Sequence, residues 1–159
     1  MLARGILALT LGLALTTSAA QAKERGCSGK LSGAVKGSFS CKVKARAKGS
    51  GAILLTVSPA KLPKSVKAFA PAEVELPVPV EKKEYTLATL KSGRTLLTTS
   101  GHKTFVAEKG KEQKGDLTLS IETLETGEAH SVASLGGTLK ARLVPAAGGG
   151  GEVVVDLRF

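Results

Sequence analysis

The stretch Leu31–Ala47, LSGAVKGSFSCKVKARA, decides the fold class. Its odd positions are all apolar or Gly: Leu31, Gly33, Val35, Gly37, Phe39, Cys41, Val43, Ala45 and Ala47. Its even positions are polar except Ala34, running Ser32, Lys36, Ser38, Ser40, Lys42, Lys44 and Arg46. A period of two held this long describes extended chain with one buried and one wet face. Gly33 and Gly37 mark where such a chain bends, because Gly weakens a strand interior and accepts unusual dihedrals.

Working outward, Gly49-Ser50-Gly51 is a turn signal, and Ala52–Val57 is a compact apolar strand stopped at Ser58-Pro59. These two strands make a hairpin. Between Pro59 and Pro79 five prolines keep the chain irregular, leaving Val66–Ala70 and Val74–Leu76 as short edge strands, since Pro cannot donate to a ladder. Glu81–Glu84 reads as a charged turn and Tyr85–Leu90 as a strand ended by Ser92-Gly93. Thr95–Thr99 and Thr104–Ala107 read as two strands around Gly101, Lys109–Asp116 as a loop, and Leu117–Ile121 as a half-buried strand. Glu125–Gly136 is polar and loose. Thr138–Val144 and Glu152–Phe159 alternate and form a hairpin across Pro145 and Gly148–Gly151. The total is about 8–10 short strands with little helix, the pattern of an antiparallel β-sandwich or barrel. Polar outward faces favour the sandwich.

The N-terminus speaks to compartment. Met1–Arg4 carries one positive charge, Gly5–Leu15 is an uncharged apolar run, and the small-residue segment that follows ends Ala20-Gln21-Ala22. That is the layout of a secretory signal peptide over residues 1–22, with cleavage expected after Ala22. The apolar run falls short of the roughly 20 residues of a membrane span. Residues 23–159 are then a single exported domain, secreted or periplasmic, large enough for a real core. Export places Cys27 and Cys41, the only cysteines, where disulfides persist. Closing a loop of about 15 residues contributes roughly 3 kcal/mol on the chain-entropy account. A zinc or redox site wants tighter C-x-x-C spacing or nearby His ligands, so a structural disulfide is expected.

Loss of Arg4 with the leader takes the formal net charge from +10 to +9. Residues 23–67 hold eleven Lys/Arg against one acid, Glu24, whereas residues 68–159 hold eleven against twelve. The excess lies in the first third of the mature chain. On one strand Lys42, Lys44, Arg46 and Lys48 project from one face, about 6.6 Å apart. Together with Lys36 they form a basic stripe. Either it attracts an anionic envelope polymer or an acidic protein, or it is a solvated face whose lysines stop an edge strand from pairing.

Little in the chain points to catalysis. His102 and His130 lie in polar, loop-like segments, and Glu128-Ala129-His130-Ser131 has no nucleophile elbow around it. His102, His130 and Glu128 lack diagnostic metal spacing. A blue-copper site usually draws on a free Cys and often a Met, and the sole methionine is Met1. Asp116 and Asp156 are the only Asp residues, too few for an EF-hand loop. Gly148–Gly151 has no following Lys-Ser/Thr and reads as a turn. With no Trp and one Tyr there is no stacking platform for sugars or single-stranded nucleic acid. No cofactor, metal, nucleic-acid partner or membrane helix is expected.

The ending Val153–Phe159, alternating and closing on an aromatic residue, is similar to that of pilus-type subunits, over the C-terminal hairpin only. That resemblance implies a subunit that assembles with copies of itself through strand edges. The first expectation remains a non-enzymatic binding or structural module docking through its basic strand face, with edge-paired self-assembly as the alternative.

Overall fold

The computed structural model describes residues 23–49, 51–127 and 131–159. The expected leader and its cleavage site lie outside the described residues, as do Glu128 and His130. Ten strands follow in order: β1 Arg25–Gly33, β2 Gly37–Lys48, β3 Ala52–Lys61, β4 Val66–Pro77, β5 Glu84–Thr86, β6 Ser92–Thr99, β7 Thr104–Glu108, β8 Asp116–Thr126, β9 Val132–Pro145 and β10 Val153–Arg158.

The fold is all-β and antiparallel, but it is not the expected sandwich. Strands β1, β2, β3, β4, β6, β7, β9 and β10 pair in that order, and β10 returns to β1, which closes an eight-strand barrel. Closure rests on β10, whose one edge pairs with β1 from Ser28↔Arg158 to Gly33↔Val153. Its other edge pairs with β9 from Val153↔Leu143 to Arg158↔Thr138. Strands of a sandwich and of a small barrel alternate alike, so the pattern along the chain does not separate them; pairing of the first strand with the last does.

Along β9, β7 and β8 share one edge end to end. Phe105↔Pro145 and Val106↔Val144 hold its upper part, and Asp116↔Arg142 through Thr126↔Val132 hold the rest. Short β5 continues the sheet beyond β8.

The inward side chains make one aliphatic cluster that includes Leu31, Phe39, Cys41, Val43, Leu55, Val74, Leu97, Leu119, Leu139, Val155 and Leu157. Phe39 and Phe69 meet edge to face in it, centroids 5.0 Å apart. Lys42, Lys44, Lys140, Arg142, Asp156 and Arg158 are exposed on the outside. Apolar inside and charged outside is the reverse of a lipid-facing barrel.

Three segments depart from the expected layout. Residues 66–77 form one strand, not two edge fragments, with β3 on one side and β6 on the other. Its register shifts between Ala70 and Glu73, a bulge that absorbs Pro71. There the buried Thr95 hydroxyl donates to the Pro71 carbonyl at 2.8 Å. Tyr85–Leu90 is strand only as far as Thr86. The described residues of the loose segment on either side of 128–130 are instead the far end of the β8–β9 ladder, where Glu125 pairs with Ser134 and Thr126 with Val132.

Candidate functional site

The β1–β2 hairpin builds the basic face. Its turn lies at Ala34–Lys36, and its register sets Cys27 opposite Cys41, where the disulfide forms with Cα atoms 4.8 Å apart. Phe39, Cys41, Val43 and Ala45 point into the barrel, so Lys42, Lys44, Arg46 and Lys48 point out. Lys30 is exposed on neighbouring β1, in register with Ser38 of β2.

The same register carries Glu24, just before β1, to the outward lysines. Its carboxylate accepts from Lys42 Nζ at 2.8 Å and from Lys44 Nζ at 2.6 Å. Hydrogen bonds from Lys42 first and Lys44 second pull the Glu24 carboxyl down from 4.5 to about 2, and the same carboxylate raises Lys42. Lys48 reaches across β3 to pair with Glu75 of β4. Among the described residues Arg46 forms no ion pair, and it lies in register with Leu54, an outward leucine that is only 6% exposed.

Lys36 does not join this face. It sits in the β1–β2 turn at the opposite end of β2 from Lys48, where it and Lys103 both line a cavity at that end of the barrel. His102 is in the tight β6–β7 turn at φ 60°, its amide bonded to the Thr99 carbonyl at 3.0 Å. Sequence reasoning missed Glu24 as a partner of the stripe, and it missed Lys103. The first was within reach, because a Cys27–Cys41 hairpin register already sets residue 24 opposite residue 44.

Comparison with known proteins returns no matching family, no matching curated protein and no matching solved structure. The basic face therefore has to be read from its own chemistry. It offers two ammonium groups shared by one carboxylate, one ammonium held by a second, and one guanidinium without an ion-pair partner among the described residues.

Proposed function

We propose that the chain is an exported, non-enzymatic binding module that docks on an anionic envelope polymer through the outer face of β2. One observation carries this reading: β2 is paired along both edges, with β1 and with β3. Lysines that blunt an edge strand have no task on a strand that is not an edge. Four cations on one exposed face then act as a charge array, which raises the local concentration of a polyanion and speeds its encounter. Self-assembly through strand edges is the weaker reading, because closure of the barrel takes up the edges of β1 and β10.

The test uses residues 23–159 with purified lipopolysaccharide and with polyphosphate at low and high salt. Wild type and a Lys42→Ser/Lys44→Ser/Arg46→Ser variant are compared for retention. Binding that high salt weakens and the variant loses is the expected result. Equal retention of both proteins overturns the proposal.

A further inference from the structure

A second basic locus lies where the β1–β2, β3–β4, β6–β7 and β9–β10 connections meet at one end of the barrel. They surround a cavity of about 610 Å³. Its apolar lining includes Val35 and Phe105, both buried members of the core, and the polar groups around it include Lys36, Lys103 and Ser65. Among the described residues no acidic side chain lines it. Neither Lys36 nor Lys103 makes an ion pair among the described residues, in contrast to Lys42, Lys44 and Lys48.

The remaining hydroxyls are partly committed. Ser100 donates to the Lys64 carbonyl at 2.8 Å, and Thr99 Oγ1 accepts from the Lys103 amide at 3.1 Å. These bonds brace the β6–β7 turn and hold Lys103 at the rim. A smaller cavity of about 250 Å³ lies on the other side of Lys103 and Phe105, lined also by His102, Pro145 and Gly148. The glycine run borders both cavities: Gly150 lines the larger and Gly148 and Gly149 the smaller, all three have positive φ, and a Cβ on any of them would meet nothing within 4 Å. Residues with side chains rarely adopt that backbone, so the sequence keeps this loop bare and the mouth open.

A cavity that joins some apolar surface to a few polar groups is the usual form of a small-molecule site. We propose that the mouth of the barrel binds a small amphiphilic anion, with its charged head between Lys36 and Lys103 and its apolar body over Val35 and Phe105. The head is an oxyanion, carboxylate or phosphate by source, and both satisfy the same pair of ammonium groups.

Calorimetric titration with octyl phosphate, octanoate and uncharged octyl glucoside tests this. Three proteins are used: wild type, Lys36→Gln/Lys103→Gln, and the Lys42→Ser/Lys44→Ser/Arg46→Ser variant. The expected result is binding of at least one anion by wild type and by the β2 variant, weakened roughly tenfold or more in Lys36→Gln/Lys103→Gln, as loss of charged hydrogen bonds dictates. The tighter of the two anions identifies the head group. Absence of binding by both anions, undiminished binding by Lys36→Gln/Lys103→Gln, or equally tight octyl glucoside overturns the proposal. Both altered lysines are exposed, so the fold does not depend on them.

Discussion

Glu24 is the only acid among residues 23–67, and it holds two of the four outward cations of β2. Its carboxyl is depressed in the folded chain to about 2, chiefly by the hydrogen bond from Lys42. The contribution it makes to holding the N-terminal segment on β2 is therefore complete above about 4.5 and is lost as pH falls through about 2. Glu24→Gln should flatten that acid-range dependence, followed by thermal unfolding across the same window. The same change frees Lys42 and Lys44, so retention on lipopolysaccharide at low salt should rise, opposite in sign to the Lys→Ser variant. A fall in retention would mean that the carboxylate orders the face for its partner. At the bulge of β4 the relevant residue is Thr95, fully buried, whose hydroxyl supplies the Pro71 carbonyl with its hydrogen bond. Thr95→Val leaves that carbonyl unpaired and should cost about 1–3 kcal/mol in urea unfolding, whereas Thr95→Ser should keep most of the stability.

Among the elements, β2 was legible in the sequence because a half-buried strand between two turns writes its alternation directly into the residues. The β2–β3, β6–β7 and β9–β10 hairpins were legible for the same reason. β4 was not, because Pro71 and Pro77 signal interruption locally, while the bulge and the Thr95 hydroxyl that accommodate Pro71 come from elsewhere in the chain. The far end of the β8–β9 ladder was also missed, since the stretch from Glu125 to Gly136 reads as polar and Gly-containing, and pairing across the two strands is what makes its described residues regular. That ladder rests on a close approach: a Cβ at Gly137 would overlap the Ser120 carbonyl oxygen, backbone that has no room to yield. Gly137→Ala should thus destabilise the protein by about 3 kcal/mol, at the upper end of the overpacking range. Gly148→Ala meets no neighbour and bears only the positive φ, about 1–2 kcal/mol. Urea midpoints of the two variants separate an inter-strand clash from a local backbone preference.

At the scale of the whole molecule, the decisive contact joins the ends of the chain, and nothing local announces it. The residues of β1 and β10 alternate equally well in an open sheet; only their mutual register makes a barrel. The candidate site divides along the same line. The outward cations of β2 follow from period two alone, whereas placing Lys36 and Lys103 around one cavity requires four connections to converge. Closure also governs what the disulfide does. Cys27 and Cys41 face each other across strands already paired, and β1 is held on its other edge by β10 from Ser28 to Gly33. The bond limits the unfolded chain more than it shapes the folded one. Cys27→Ala/Cys41→Ala should therefore lose roughly 3 kcal/mol in urea unfolding while far-ultraviolet circular dichroism stays the same. Light scattering reads the other possibility: if the bond were what keeps β1 against β10, its loss would expose two strand edges, and the variant would self-associate as concentration rises. With the β1–β10 ladder intact, the variant is expected to match the association state of wild type at every concentration.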